Sequence, residues 1–299
     1  MAQALRLAEA IVSARRAAPA DLVDAATILG QDQRYPVQLR LWQRAGRSRR
    51  VPRWLRRTVD EGWFDALMAA GKHAEARKVI DAVVSLARTT QGNSLMTALM
   101  LNGAAGAAAR AGDRKREAAI RLQVLQAVRP LGKPALVALA ASHLVRAYTE
   151  TKNLPSLLPY AKELRELGAP ALEVARHTWV LAAAQDALTA GGKAAQAQGI
   201  FARAEAYLGE ARALSEALAT QAVVARAVPA ASVAEALAAR QTKLAQLQTA
   251  DAELARRRGQ FAQADQAYNA AAATWVNALQ RGDRAAALAG QRAQVAVLA

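Results

Sequence analysis

Residues 254–273 read LARRRGQFAQADQAYNAAAA. On both sides of Gly259, small and apolar residues recur every three or four positions, with Ala264 five residues after the glycine and Tyr268 nine after it. This spacing is typical of one face of an α-helix, and a glycine between two such runs marks a helix end. The stretch therefore predicts two helices joined by a tight turn. The small residue lies where the helices cross closely, and the large residue fills the groove beside it.

The pattern recurs along most of the chain, because short interruptions separate long helical runs. These interruptions are AGK at 70–72, AGD at 111–113, TKN at 151–153, GGK at 191–193, RGQ at 258–260 and RGD at 281–283. The first four follow one another at intervals of 40 or 41 residues, and the longer interval that follows divides at Val228-Pro229. If the fourth turn lies at 191–193, Ala197 is the small residue at the helix crossing, and Phe201 is the large residue that fills the groove beside it. Short breaks predict antiparallel helix hairpins, and a regular period predicts a helical solenoid.

This arrangement resembles the tetratricopeptide repeat. The best-matching units are LVRAYTETKNLPSLLPYAKEL at 144–164, LTAGGKAAQAQGIFARAEAYL at 188–208 and the stretch at 254–273, in which Gly259, Phe261, Ala264, Tyr268 and Ala271 stand at the family's positions. The resemblance covers residues 57–299, with elongated units of 40 or 41 residues in the first half. It implies a right-handed α-solenoid of antiparallel helix pairs whose concave groove is lined by the first helix of each pair.

Composition supports an all-α fold of 13 to 15 helices. Of 299 residues, 80 are alanine, the strongest helix former, whereas aromatic residues make up 4% and cysteine is absent. Without cysteine, disulfide frameworks and thiolate metal sites are excluded. Helices are predicted near 3–17, 20–30, 35–46 and 52–70. We expect two segments, an Arg-rich helical segment at 1–56 and a repeat array at 57–299 that continues from it.

Positive charge is concentrated near the N-terminus of a chain whose formal net charge is +16. Residues 33–59 contain nine arginines, no lysine and no acidic residue, with two tryptophans among them. Guanidinium groups bind carboxylate, phosphate or sulfate through a planar fork of donors. We predict a partner-binding surface formed by Arg40, Arg44, Arg47, Arg49, Arg50, Arg53, Trp54, Arg56 and Arg57. The alternative is that these arginines form a solvated face whose counter-charges come from elsewhere in the fold.

No residue pattern indicates catalysis, a metal site or a cofactor. His73, His143 and His177 are far apart in sequence, and His73 follows a turn where packing is the simpler interpretation. The stretch at 191–193, GGK, lacks the first glycine and the Ser/Thr of a phosphate-binding loop and is interpreted as a turn. The pairs Trp54 and Trp63, and Trp179 and Trp275, are predicted to lie in the core. We therefore expect a protein that is not an enzyme.

Three functional hypotheses remain open. The first is a protein–protein interaction scaffold that presents a basic concave surface to an acidic partner, since complementary charge steers encounter. The second follows from a resemblance of Ala-rich repeat arrays to the periplasmic parts of bacterial exopolysaccharide-secretion proteins. The third is nucleic-acid binding through the clustered arginines, although no nucleic-acid recognition motif accompanies them. No membrane span is predicted, because no stretch reaches 18 uninterrupted apolar residues. Bacterial cytoplasm and periplasm both fit, and the sequence indicates no oligomeric state.

Overall fold

The computed structural model describes residues 2–14, 17–31, 35–48, 51–89, 95–220, 223–224 and 228–280. Every regular element in these ranges is helical, and they contain fourteen α-helices and two short 3-10 helices, Arg129–Leu131 and Ala230–Ser232. The prediction of an all-α fold with 13 to 15 sequentially packed helices is confirmed. The handedness of the array stays a prediction.

The chain forms two compact units, Met1–Gly132 and Lys133–Ala299. The α-helices described in the first unit are α1 (Ala2–Ser13), α2 (Pro19–Gln31), α3 (Tyr35–Arg47), α4 (Arg53–Ala69), α5 (His73–Thr89), α6 (Leu95–Arg110) and α7 (Arg114–Val128). Each packs against the next along the chain, and α4 also contacts α6. The four helices predicted near the N-terminus correspond to α1 through α4. The predicted border between residues 56 and 57 lies within the continuous helix α4, and that division of the chain remains a prediction.

The second unit is also built of consecutive helices. Its described α-helices are α8 (Pro134–Glu150), α9 (Leu154–Glu166), α10 (Ala169–Leu172), α11 (Ala175–Ala197), α12 (Phe201–Leu218), α13 (Val233–Arg257) and α14 (Phe261–Gln280). The pairs α8–α9, α11–α12 and α13–α14 pack together, and α12 also contacts α13. Val228-Pro229 is non-helical and lies just before the 3-10 turn that leads into α13, as predicted, whereas α12 already ends at Leu218.

Tight turns join the helices of most pairs at the predicted positions. Gly71, Gly112 and Gly259 have φ values of 70°, 73° and 73°, which L side chains rarely adopt, and Lys152 takes the same region at 53°. After each such turn the helix backbone bonds back across it, as where Gln260 N donates to Ala255 O at 2.9 Å.

The residues predicted to pack at the helix crossings are buried, and the small-then-large order holds after Gly71 and Gly259 but is reversed after Lys152. Five and nine residues after three of the turns, the side chains are buried in the core: Ala76 and Ile80, Leu157 and Ala161, and Ala264 and Tyr268. Small residues at the first position allow the helices of a pair to approach closely. The second position fills the space that this approach leaves beside the crossing.

The turn predicted at 191–193 is wrong, because Gly191 and Gly192 lie within α11. The turn instead falls at Gly199, whose φ is 72°. A Cβ on Gly192 would lie 2.6 Å from Cγ of Leu208, so this glycine lets α12 pack closely on α11. The buried residues five and nine positions after the turn are consequently Ala204 and Leu208, not Ala197 and Phe201.

The tryptophans divide between core and surface. Trp275 is 2% exposed and packs in a buried cluster with Ala245, Ala271 and Ala278, as predicted. The prediction is wrong for Trp179, which is 62% exposed on α11. Trp63 is half-buried, and its ring occupies the space that a side chain on Gly46 would need. The turn predicted at 281–283 lies outside the described residues.

Candidate functional site

Helices α3 and α4 carry the arginine stretch, and two tryptophan–glycine contacts hold them together. The ring of Trp63 on α4 lies where a Cβ on Gly46 would stand, and the ring of Trp42 on α3 lies over Gly62 in the same way. Trp42 is 4% exposed. Each large ring thus fills the space left by a glycine on the other helix, which brings the two backbones close. This packing sets the direction in which the arginines of α3 point.

Arg44 closes the C-terminal end of α1. Its Nη1 donates to the carbonyl oxygen of Val12 at 2.9 Å, and its Nη2 donates to that of Ala14 at 2.6 Å. The last carbonyls of a helix have no partner within the helix and carry the negative end of its dipole. A guanidinium there satisfies two acceptors at once. Arg44 therefore links α3 to α1 and has a structural role.

Arg56 and Arg57 each pair with an acidic residue one helical turn later. Arg56 contacts both carboxylate oxygens of Asp60: its Nε donates to Oδ2 at 2.9 Å, and its Nη2 forms an ion-pair contact with Oδ1 at 2.8 Å. Its Nη1 also donates to the carbonyl oxygen of Gly46 at 3.3 Å. Arg57 Nε lies 2.9 Å from Oε1 of Glu61. Asp60 is buried, and this burial raises the pKa of its carboxyl group even though Arg56 favours the ionised form.

Besides Arg57, which is exposed but paired with Glu61, the exposed members of the predicted surface in the described part of the chain are Arg40 and Arg47. They lie seven residues apart on α3, which places them on one face about 10 Å apart. Neither forms an ion pair within the described ranges. Arg49 and Arg50 lie outside the described residues, and for Arg53 and Trp54 only the backbone in α4 is described. The described part of the predicted surface therefore divides into three internally bonded arginines, of which Arg57 is also exposed, and two exposed arginines that form no ion pair there.

A groove in the second unit was not predicted from the sequence. It lies between α12, α13 and the start of α14, and encloses about 1040 Å³ including its open mouth. One wall holds two ion pairs between α12 and α13. Arg212 Nη1 lies 2.8 Å from Oδ2 of Asp251, and Arg258 Nη1 lies 2.5 Å from Oε2 of Glu205. Burial raises the pKa of Asp251, while Arg212 opposes this effect.

The opposite wall of this groove is formed by carboxamides. Gln260, Gln263 and Gln266 line it at intervals of three residues, with Ala267 and Ala270 beside them. No hydrogen bond from these three side chains to another described residue is present. Each carboxamide therefore offers both a donor and an acceptor to a ligand. The signal in the sequence is the three-residue spacing of the glutamines in QFAQADQA, which was not recognised as part of a surface.

A smaller groove in the first unit lies between α4, α5 and α6. It encloses about 320 Å³ including its open mouth, and Phe64, Ile80 and Met100 are among the apolar side chains that line it. Arg57, Asp60 and Glu61 are its polar lining residues. These charges are already paired with one another or with Arg56. This groove is thus lined mainly by apolar side chains, and the charged residues at its edge are already in ion pairs.

The two histidines whose contacts are described, His73 and His177, lie in different surroundings. His177 is buried, and its Nδ1 lies 3.2 Å from the carbonyl oxygen of Pro170, so that nitrogen carries the proton and donates. Burial lowers the pKa of His177. His73 is exposed beside Met68 and does not pack in the core, contrary to our interpretation. In the described ranges, no three His, Cys, Asp or Glu residues lie together as metal ligands would.

The comparisons with known proteins do not identify a family. No protein-family model matches the chain, and no curated protein matches it in sequence. Among solved structures, BtubC from P. vanneervenii aligns at 14% identity with a TM-score of 0.36, over 92% of each chain. The signal transduction ATPase with numerous domains from Pyrococcus horikoshii, which has a tetratricopeptide repeat sensor, aligns at 14% identity with a TM-score of 0.38. That alignment covers 94% of this chain and 42% of the other.

These likenesses carry no conclusion about function. The chain spans less than half the length of the Pyrococcus horikoshii protein. Among the helices in the described part of the chain, none has both the length and the hydrophobicity to cross a membrane.

Proposed function

We propose that this protein is a non-catalytic helical-repeat scaffold of the tetratricopeptide type that binds an acidic partner protein. The observation that carries the proposal is the pair of exposed guanidinium groups, Arg40 and Arg47, on one face of α3. Helical arrays expose a large surface for their mass, and each helix pair contributes a few contacts to a partner. A formal net charge of +16 favours partners of opposite charge, because attraction between complementary surfaces speeds association.

The arginines differ in what they can contribute to such a surface. Arg44 and Arg56 are held by Val12 and Asp60, so substituting them would remove structural contacts as well as charge, whereas the exposed pair of Arg57 with Glu61 contributes little to stability. Arg40 and Arg47 can be substituted without removing a described bond. The predicted partner-binding role of Arg49, Arg50, Arg53 and Trp54 belongs to the same proposal.

The test is a double charge reversal, Arg40→Glu with Arg47→Glu, in the full chain. The probe is fluorescently labelled polyglutamate, and binding is measured by anisotropy at low and at physiological salt. We expect the variant to bind at least tenfold more weakly at low salt than the unmodified chain. Circular dichroism should show unchanged helix content in both.

The matched control reverses Arg256 and Arg257, which are exposed in the last turn of α13. This control changes the net charge by the same amount. If both double variants lose the same affinity, binding reflects overall charge and the proposed surface on α3 is wrong. If only the α3 variant loses affinity, the surface is supported.

Nucleic-acid binding is a second candidate, because exposed arginines also contact phosphate groups. A double-stranded DNA oligomer serves as the probe in the same assay. Phosphate binding releases condensed counterions, so affinity would fall steeply with salt. A DNA affinity that exceeds the polyglutamate affinity at physiological salt, and that is lost in the α3 variant, would favour this candidate over an acidic protein.

A further inference from the structure

We infer that the groove between α12, α13 and α14 binds an extended, uncharged segment of a partner polypeptide through its main chain. This inference goes beyond the acidic partner of α3 and concerns a surface of different chemistry. It rests on the proposed function only in that the ligand is a polypeptide. The groove is formed by the second helix of one pair and both helices of the next.

The charges of the groove are balanced. Two arginines and two acidic residues line it, and each arginine is bonded to a carboxylate across the α12–α13 contact. A charged ligand would therefore have to compete with an existing ion pair. This neutrality contrasts with the net charge of +16 of the whole chain. The lining thus favours a ligand segment without charged side chains.

The unpartnered groups of the groove match a polypeptide main chain. The carboxamides of Gln263 and Gln266 offer donors and acceptors, and each residue of an extended main chain, proline apart, offers one of each. A ligand with only acceptors, such as a phosphate or carboxylate, would use the carboxamide NH2 groups alone and leave the exposed oxygens to water. Main-chain binding of this kind leaves the side chains of the ligand largely free.

The shape of the groove suits an extended segment. From Gln260 to Ala270 its α14 wall is about 15 Å long, since a helix rises about 1.5 Å per residue. An extended chain rises about 3.3 Å per residue, so four or five residues fit along this wall. Ala255, Ala267 and Ala270 have short side chains and leave room for a second backbone.

The experiment selects peptides on the full chain from two synthetic hexapeptide libraries. One library contains only uncharged residues, and the other has Asp or Glu at alternate positions. Affinities of the selected peptides are then measured by fluorescence anisotropy. We expect the uncharged library to supply the tighter binders. We also expect N-methylation of their main-chain amides to abolish binding, because it removes the donors.

The groove is tested by the double variant Gln263→Ala with Gln266→Ala, which we expect to weaken peptide binding at least tenfold. Alanine favours helix at both exposed positions, so α14 should remain folded. The matched control is Asn269→Ala, an exposed carboxamide on the same helix outside the groove, and it should bind like the unmodified chain. The α3 double reversal should also leave this binding unchanged, which separates the two surfaces.

Several results would overturn the inference. These are the absence of selected peptides, a preference for the acidic library, tolerance of N-methylation, or equal binding by the glutamine variant. Maltohexaose serves as a neutral carbohydrate probe. The groove is a carbohydrate site, and the inference is wrong, if the unmodified chain binds maltohexaose, the glutamine variant does not, and no peptide binds. If the charge reversal of Arg40 and Arg47 does not weaken polyglutamate binding but the groove binds uncharged peptides as expected, only the acidic-partner proposal is overturned.

Discussion

At the scale of single residues, the turn at Gly112 departs from the pattern of its neighbours. Five and nine residues after it stand Glu117 and Arg121, where the other turns have small or apolar residues. Both are buried, at 0% and 4% exposure. Glu117 Oε1 lies 3.6 Å from Arg121 Nη2, and its Oε2 lies 2.7 Å from Arg114 Nη1. Arg121 also donates to Asn102 on α6. An ionic cluster therefore replaces apolar packing between α6 and α7.

Removing one partner of this cluster should strongly destabilise the protein. Glu117→Gln leaves the charge of Arg121 buried beside a neutral group, and breaking a buried pair in this way costs about 3–5 kcal/mol. The double variant Glu117→Ala with Arg121→Leu restores a small residue followed by a large apolar one. Its free energy of unfolding should fall by less than half as much as that of Glu117→Gln. Urea unfolding followed by circular dichroism measures both. A double variant as unstable as the single one would show that apolar packing cannot replace the cluster.

His177 predicts a pH dependence of stability in the second unit. Burial lowers its pKa in the folded state, so on acidification the unfolded chain takes up the proton first. The free energy of unfolding should therefore fall as the pH drops below about 6.5, by at most about 1.4 kcal/mol per pH unit. His177→Asn retains a donor for Pro170 and should remove this slope. Partly buried Asp251, whose pKa is raised, contributes the opposite slope to both proteins. A variant with the same pH profile as the unmodified chain would contradict the prediction.

At the scale of helices, α11 shows how a glycine pair can serve packing instead of a turn. Gly191 and Gly192 lie against Leu154 and Leu208, on the helices that α11 contacts. No residue of α11 adopts positive φ, and the helix ends at Ala197, two residues before Gly199. Two glycines inside a helix weaken it, and the close contacts with α9 and α12 offset that loss. The position of the turn is thus set by packing partners.

Replacing one of these glycines should reveal the contact. Gly192→Ala places a Cβ 2.6 Å from Cγ of the fully buried Leu208, and overpacking of this kind costs about 1–3 kcal/mol. Gly209 in α12 is the matched control, because a Cβ there would meet no atom within 4 Å. Gly209→Ala should raise the free energy of unfolding by about 0.5–1 kcal/mol. Stabilisation of the protein by both substitutions would show that α11 and α12 are not in close contact.

At the scale of the whole molecule, net charge should govern the response to salt. A formal charge of +16 over 299 residues makes the folded state repel itself, and salt screens this repulsion. The ion pairs within the units are screened as well, but most of those described are partly exposed and contribute little each. We expect Tm to rise by a few degrees between 10 and 200 mM NaCl, measured by calorimetry. A falling Tm would mean that the ion pairs outweigh the repulsion.

The helical class, the number of helices and most turns follow from sequence, because they depend on local properties. Alanine content sets the helix propensity, the three-to-four spacing defines the buried face, and glycine favours positive φ at Gly71, Gly112 and Gly259. Even Ala264 and Tyr268 were assigned correctly from their distance to a turn.

Other features depend on residues that are distant in sequence, and these were decided by packing. Whether Gly192 bends the chain depends on Leu208, and whether Arg44 faces a partner depends on the carbonyl groups that end α1. The groove beside Gln263 exists because α12, α13 and α14 meet there. Local propensity and spacing act within a few residues, whereas a surface is formed by helices whose separation the spacing does not encode.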